Sequence, residues 1–448
     1  MNVAVTGASG FIGRELVYSL ARRGHRVIAL ARDPGRLTGL PCEAVRWTIN
    51  DSATIDEVLG RVDAIVHLAG EPVGQGRWND ETRRRIRESR VLSTRAIARA
   101  LIRSPEGRRC RALVCASASG LYGDRGDEPL TEASEPDSDF LASVVREWEG
   151  EARAAEPAGV RVVLSRFGVI LGRDGGALEK MKPVVLGAGR QWVSWIHLRD
   201  AVAFLVRALE DPRFEGAYNV VAPNPVRNSE LAASLARATG ARLVPRAPAW
   251  VLRLALGEMS GVVLSSCRAS AARAEQAGLR FEYPRLDDAL AEIYPPSHRR
   301  ESRFSATQFL PRPLPEVFSY FSRAENLEEL TPPWLNFRIV SKSTPEITEK
   351  TLIDYRLRIH GLPVRWRSRI ESWKPNESFV DTQLRGPYAS WHHTHRFEAV
   401  AGGTLMHDEV FYRLPGGAPA RALAEPWVRK DFERIFSYRR RRIAEALG

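Results

Sequence analysis

The chain opens MNVAVTGASGFIG, residues 1–13. An apolar run, Val3 to Val5, meets Gly7, Gly10 and Gly13. A segment with apolar residues at Ile12, Leu16, Val17 and Leu20 follows at once. The first run has the length of a buried strand and the second the period of an amphipathic helix. A strand, a glycine-rich turn and a helix start form the arrangement that holds a dinucleotide pyrophosphate at the helix N-terminus. Gly7 permits the tight turn, Gly10 lets the backbone approach the phosphates, and Gly13 lets the helix pack closely on the sheet. The spacing is G-x-x-G-x-x-G. A plain strand-to-helix turn would use the same glycines, and the flanking periodicity argues against it.

Outward from that turn, strands alternate with helices. Arg26–Ala31, Val62–Leu68, Leu113–Ala116 and Arg161–Ser165 read as strands, and Phe11–Arg23, Arg83–Ile102 and Phe140–Ala155 as helices. This alternation predicts an α/β, doubly wound parallel sheet covered on both faces. Residues from about 170 to 297 are less regular and are expected to cover the strand ends and shape a substrate pocket. A polar, proline-containing stretch then predicts a linker over 298–303. Beyond it alternating strands dominate: Phe337–Ser341, Thr351–Ile359, Val364–Trp373, Phe379–Leu384, Ser390–Ala399 and Thr404–Tyr412. A helix over Leu314–Leu330 precedes them, and a long helix from about Ala420 to Leu447 closes the chain. Its apolar positions Leu423, Trp427, Phe432, Ile435, Phe436, Ile443 and Leu447 predict one face packed on the sheet.

The 448 residues exceed one ordinary domain. An apolar content of 44% with 27% charged residues describes a globular protein. No apolar run approaches the roughly 20 residues of a membrane helix, and with a first strand at Asn2 no signal peptide is expected. Cys42, Cys110, Cys115 and Cys267 show neither metal spacing nor a disulfide framework. These features point to the cytoplasm. A net charge of +12 raises the question of nucleic acid. The basic residues are nearly all Arg and scattered, and Arg439–Arg442 reads as a solvated helix face, so no nucleic-acid partner is expected. The oligomeric state is not legible.

Several stretches carry a family resemblance: TGASGFIG, HLAGEPV (67–73) with Arg77-Trp78, Ser89-Arg90, SASGLYGD (117–124), Trp148-Glu149, GGAL (175–178), WIHLRD (195–200) and YNVVAP (218–223). Together they resemble an extended short-chain dehydrogenase/reductase, more narrowly its NAD-dependent epimerase-like subfamily, over residues 1–297. Residues 304–448 resemble the helix-grip superfamily of START and polyketide cyclase-like domains. Here LPRPLPEVFSYFSRAENLEELTPP (310–333), GLPVRWRSRIESW (361–373) and GPYASWHHTHRFEA (386–399) carry the likeness. That resemblance implies an α+β unit, a curved antiparallel sheet around a long C-terminal helix. It also implies an interior for an apolar ligand.

The first resemblance implies an NAD(P)-dependent oxidoreductase or epimerase with cofactor contacts at Gly7, Gly10, Phe11, Ile12 and Gly13, at Arg32, and at Leu68, Ala69 and Gly70. Such enzymes use a Ser, a Tyr and a Lys, the last two one helical turn apart. This chain has no Lys before Lys180 and no Tyr between Tyr122 and Tyr218. The Tyr-x-x-x-Lys couple is absent. Ser117, Tyr122 and Glu149 are the candidate catalytic groups in its place. Each has a plainer reading: Ser117 bonded to backbone, Tyr122 capping the core edge with its hydroxyl in water, Glu149 pairing with an arginine. Glu71 and Arg77 follow a strand end, and His197 and Asp200 stand at a later one, His197 being expected to be structural.

The end of the second strand reads Leu30-Ala31-Arg32-Asp33. Ala31 lacks the carboxylate that reads ribose hydroxyls and Arg32 suits a 2′-phosphate, so NADP is expected over NAD; Asp33 argues the other way. His393 and His395 share one face of a strand, with His392 beside them and His407 on the next strand. No Cys or carboxylate set completes a metal site there, so none is expected. Three functions stay open: an NADP(H)-dependent enzyme on a small hydroxyl or carbonyl compound, a dinucleotide-binding regulatory or scaffold protein with little turnover, and a carrier of an apolar molecule.

Overall fold

A computed structural model describes residues 1–74, 77–103, 109–299 and 301–448. The chain divides into two compact units, one formed by Met1–Thr38 and Cys42–Arg299 and one that includes Arg300–Gly448.

In the first unit the described strands of the main sheet are β1 (Asn2–Thr6), β2 (Arg26–Ala31), β3 (Glu43–Arg46), β4 (Ala64–His67), β5 (Ala112–Ala118), β6 (Arg161–Phe167) and β7 (Gly216–Val220). They are all parallel, in the order β3-β2-β1-β4-β5-β6-β7. The helices α1 (Phe11–Arg22), α2 (Ser52–Arg61), α3 (Asp80–Arg103), α4 (Phe140–Arg153) and α5 (Leu198–Glu210) connect or flank them. Because helices cover both faces, the strands read as continuous apolar runs. Val3, Val5, Ile65, Val66, Leu113, Val114, Val162 and Leu164 are all fully buried. The strand order reverses between β1 and β4. In open α/β sheets that switch point opens a crevice at the carboxyl edge where ligands bind. The α2 segment and the β3 edge strand were not anticipated from sequence. A separate core of Leu171, Leu178, Trp195, Leu231, Leu235 and Leu290 holds the 170–297 segment together.

In the second unit β8 (Ser302–Leu310) is followed by α6 (Leu314–Phe321) and α7 (Ala324–Leu330). Then come β9 (Arg338–Lys342), β10 (Leu352–Ile359), β11 (Leu362–Lys374), β12 (Ser378–Arg385), β13 (Ser390–Val400), β14 (Gly403–Arg413) and α8 (Gly417–Leu447). The sheet is antiparallel, in the order β8-β14-β13-β12-β11-β10-β9. This is the helix-grip arrangement.

Three expectations are corrected. β8 was not foreseen, and it begins at Ser302, inside the stretch read as linker; Arg300 of that stretch lies outside the described residues. The helix expected over 314–330 is two helices. Arg323 is extended, and the Asn326 amide donates to the Tyr320 carbonyl at 2.7 Å, closing the first helix. On α8, Phe432 and Ile443 are buried as expected, but Leu423 and Trp427 are 77% and 72% exposed. The apolar period is continuous along the helix, while the packed face covers only its later turns.

None of the four cysteines is in a disulfide. No helix among the described residues is long and apolar enough to cross a membrane.

Candidate functional site

The glycine turn joins β1 to α1. Gly7 has φ +70°, and a Cβ there would lie 2.8 Å from the Leu68 carbonyl carbon and 2.9 Å from the Ala69 nitrogen. Gly13 meets the Gly7 carbonyl so closely that no side chain fits between them. Gly10 differs: a Cβ there would touch only the Gly7 oxygen, at 3.1 Å, and otherwise face open space. Gly7 and Gly13 therefore serve the turn itself, and Gly10 keeps the space above it clear. Gly10 caps α1 without a side-chain bond. An uncapped helix start of this kind leaves first-turn N–H groups open, the general setting in which anions bind. The Phe11 ring would lie 2.8 Å from a Cβ on Gly172 or Gly175 and 2.6 Å from one on Gly176. Gly172 and the two glycines of GGAL thus lack side chains because they run over the Phe11 ring.

At the switch point the Thr6 hydroxyl accepts from the Leu68 and Ala69 N–H groups at 3.2 and 3.3 Å and donates to His67 Nδ1 at 2.6 Å. His67 Nε2–H then donates to Ser93 Oγ at 3.1 Å, and Ser93 donates to the Ser89 carbonyl at 2.7 Å. The ring is fully buried and neutral, and burial, helped by the nearby Arg90 charge, pushes its pKa down to about 3. Ser89 Oγ accepts from the Glu71 N–H at 3.0 Å. Arg90 packs on the strand end, with its guanidinium carbon 3.3 Å from where a Gly70 Cβ would stand and 5.4 Å from the Trp148 ring centre. Nη1 donates to the Ile86 carbonyl at 3.0 Å, and Arg90 makes no ion pair among the described residues. Burial lowers its pKa to about 10.

The catalytic candidates meet through a residue that sequence reading missed. Strand register places Ser117, Arg166 and Asn219 side by side across β5, β6 and β7. Arg166 Nε and Nη2 donate to the two Glu149 oxygens at 2.8 and 2.9 Å. The Ser117 hydroxyl donates to Glu149 Oε1 at 2.6 Å. Arg166 Nη1 donates to the Tyr122 hydroxyl at 2.9 Å, and that hydroxyl donates to Asn219 Oδ1 at 2.6 Å. Asn219 is fixed in turn by the Leu130 carbonyl and the Glu132 carboxylate. Tyr122 is 0% exposed and Ser117 3%. Burial raises the Tyr122 pKa to about 12. Burial also opposes the Arg166 charge, but the bonds and charge of Glu149 outweigh it and hold that pKa above the ordinary arginine value. Of the plainer readings, Glu149 does pair with an arginine. Tyr122 does not put its hydroxyl in water, and the Ser117 hydroxyl goes to a carboxylate rather than to backbone.

Arg32 is exposed after β2 and makes no hydrogen bond or ion pair among the described residues. Asp33 Oδ1 accepts the Gly35 N–H at 3.0 Å, capping the turn Pro34–Leu37. His197 caps α5, accepting the Arg199 N–H at 3.2 Å and pairing with Glu292 at 3.2 Å. Asp200 accepts the Glu282 and Tyr283 N–H groups at 2.7 and 3.0 Å. Both are thus hydrogen-bonded within the fold. Arg77 is exposed, 3.4 Å from where a Gly257 Cβ would stand.

In the second unit one expectation is corrected: carboxylates do complete the histidine group. Asp381 stands directly across from His393, and Asp408 across from His395. Donor atoms of Asp381, His393 and His395 all lie within 4.8 Å of one another. His407 instead meets Thr307 Oγ1 at 3.0 Å.

A parallel sheet of this order with a glycine turn at its switch point defines a dinucleotide-binding fold of the short-chain dehydrogenase/reductase type. Residues 3–221 match the NAD dependent epimerase/dehydratase family, residues 247–293 a domain of unknown function (DUF1731), and residues 310–436 the polyketide cyclase / dehydrase and lipid transport family. The epimerase family protein YfhF of Bacillus subtilis is 35% identical over 300 residues, covering 65% of this chain and 98% of that protein. The chloroplastic SDR39U1 homolog of Arabidopsis thaliana is 38% identical over 303 residues, covering 65% of this chain and 86% of that one. Among solved structures, human epimerase family protein SDR39U1 (isoform 2) with NADPH is 30% identical with TM-score 0.58, covering 66% of this chain and all of that one. A nucleoside-diphosphate sugar epimerase from Corynebacterium glutamicum is 35% identical with TM-score 0.53, covering 66% of this chain and 58% of that one. The chain belongs to the epimerase family, with a C-terminal polyketide cyclase-like unit.

Proposed function

We propose that the first unit binds NADP(H) at the carboxyl edge of its sheet and acts as an oxidoreductase or epimerase on a small hydroxyl or carbonyl compound. The pair Arg32–Asp33 carries this reading. An acid that reads ribose hydroxyls must be free to accept from them, and one Asp33 oxygen already caps a turn. Arg32 is free for a 2′-phosphate. The human relative solved with NADPH agrees with this choice.

Gly7, Gly10, Phe11, Ile12 and Gly13 would hold the pyrophosphate, and Leu68, Ala69 and Gly70 the adjoining part of the cofactor. Arg90, desolvated against Gly70, supplies the cation that the missing Lys would bring. When bound, NADP(H) gives or takes the hydride. Ser117 and Glu149 form the pair through which a proton would pass, while Tyr122 acts through Arg166 as a positioning residue.

A second reading is favoured by the closure of that network. Ser117, Tyr122, Glu149, Arg166 and Asn219 satisfy one another inside the chain, as in a rigid floor beneath a dinucleotide that is held and rarely turned over. For the second unit we infer an apolar ligand, supported by its family and its aromatic interior. Four cysteines outside any disulfide suit the cytoplasm.

The test follows the absorbance of reduced nicotinamide with purified protein and a panel of carbonyl compounds. NADPH consumption supports the enzyme, and tight binding without turnover supports the second reading. Arg32→Ala should weaken NADPH about ten- to a hundredfold, the loss of a charge-assisted hydrogen bond, and leave NADH unchanged. Equal loss for both cofactors overturns the NADP assignment.

A further inference from the structure

The inward faces of β12, β13 and β14 are largely apolar and aromatic. Phe379, Phe397, Met406, Val410 and Tyr412 are buried there, and among them stand His393, His395 and Asp408, also buried, with Asp381 beside them. A wall of this kind excludes titratable side chains unless they are paired or hold an ion. Alternation along each strand puts all four on the same face, and register sets Asp381 opposite His393 and His395 opposite Asp408.

The distances divide the four residues into two sets. Asp408 Oδ1 lies 3.1 Å from His393 Nε2 and 2.7 Å from His395 Nδ1. Asp381 Oδ2 lies 3.4 Å from His393 Nδ1 and 3.5 Å from His395 Nε2. The Asp381 contacts are the longer ones, beyond the roughly 2.7–2.9 Å of charge-assisted hydrogen bonds by half an ångström or more. Ligand atoms each about 2.0–2.1 Å from a tetrahedral zinc stand about 3.3–3.4 Å apart, which is the Asp381 spacing. Asp408 occupies the place of the carboxylate that commonly orients a metal-bound imidazole through its other nitrogen. It is hydrogen-bonded in this way to His393, and its Oδ1 also stands beside His395 Nδ1. The ring centres are 3.8 Å apart, and Phe379 stacks on His395 at 4.2 Å, which fixes the rings further.

We propose that Asp381 Oδ2, His393 Nδ1 and His395 Nε2 form a binding site for a first-row divalent cation of the zinc type, oriented by Asp408. Two imidazoles and a carboxylate without thiolate suit zinc or iron(II), and three protein ligands leave a coordination position open. The imidazoles keep 8% and 5% of their side-chain surface, whereas Asp381 keeps 18%. The open position therefore lies on the Asp381 side, where water or an oxygen of the unit's ligand would complete the shell.

The test uses the full chain, stripped with a chelator and titrated with Co2+ and then Zn2+. The expected result is uptake of about one ion per chain at micromolar or lower free ion, a visible absorption typical of tetrahedral Co2+, and its displacement by Zn2+. Asp408→Asn should weaken binding roughly 10–100-fold, and Asp381→Asn at least as much. His392→Gln, on the opposite face of β13, should bind like the parent. Circular dichroism checks that each variant is folded. If the ligand variants fail to fold, X-ray absorption of the zinc-loaded parent replaces them, with two imidazoles expected around the ion. No uptake by the parent at micromolar ion overturns the proposal. So does uptake lost in His392→Gln but kept in folded Asp381→Asn, or a spectrum lacking imidazole.

Discussion

Arg166 and Glu149 form a two-pronged ion pair, with nitrogen–oxygen distances of 2.8 and 2.9 Å and each side chain 8% exposed. The pair lies at the carboxyl edge of the sheet and gathers Ser117 and Tyr122 around it. Removing one partner of a buried pair leaves the other charged and unsolvated, which costs more than losing both.

Glu149→Gln should therefore destabilise the first unit by roughly 3–5 kcal/mol. The double change Glu149→Gln with Arg166→Met should recover part of that loss. Chemical denaturation of the parent, both single variants and the double variant measures the coupling. A Glu149→Gln protein as stable as the parent would show that the pair contributes only geometry.

The glycines of the turn should separate by role. A side chain at Gly10 meets little of the protein and stands where the pyrophosphate would lie. Gly10→Val should thus keep its melting temperature within a few degrees and lose dinucleotide binding. Gly13→Val collides with the Gly7 carbonyl and approaches Ala8 Cα, which lies 2.7 Å from an added Cβ, so it should lower stability as well. Calorimetry with NADPH and thermal denaturation distinguish the two. Retained NADPH affinity in Gly10→Val would remove the turn from the site.

The turn was readable because its backbone leaves little choice of residue: at Gly7 a φ of +70° and a close approach to Leu68 each demand glycine. Much of the alternation of strands and helices was readable from period, with α2 and β3 the exceptions. Arg166 was not, since it is one basic residue in a chain with 66 Lys and Arg. Only the pairing of β5, β6 and β7 puts it beside Ser117 and Asn219. The same limit hid the carboxylates near His393 and His395, because sequence gives the faces of a strand but not the register of its neighbours. The break between α6 and α7 depends on Asn326 reaching back to Tyr320, a contact that helical period does not report.

His67 makes the first unit sensitive to acid. In the folded chain its ring gains a proton only near pH 3, and in the unfolded chain near pH 6.5. Between these values the unfolded state binds the additional proton, so stability falls as pH falls. The contribution is whole above about pH 6.5 and gone below about pH 3. The slope should approach about 1.4 kcal/mol per pH unit inside the window. Urea denaturation of the first unit at several pH values between 6.5 and 4.5, in the parent and in His67→Gln, measures this. The difference in slope between the two proteins is the His67 term, and equal slopes would refute it.

The closing helix offers the sharpest contrast between pattern and packing. Phe432 is 4% exposed, with the ring centres of Tyr412, Phe304 and Trp391 at 4.9, 5.4 and 5.7 Å. Trp427 has the same apolar character and stands 72% exposed five residues earlier. Phe432→Ala should cost about 3–5 kcal/mol, since it removes both the transfer of a ring from water and the contacts around the cavity it leaves. Trp427→Ala and Leu423→Ala should each stay within about 0.5 kcal/mol of the parent, as surface changes do. Denaturation of the full chain, read in the transition of the second unit, gives all three values. A large loss on Trp427→Ala would mean that this face of α8 is covered in solution. Its concentration dependence would then show whether a second copy of the chain covers it.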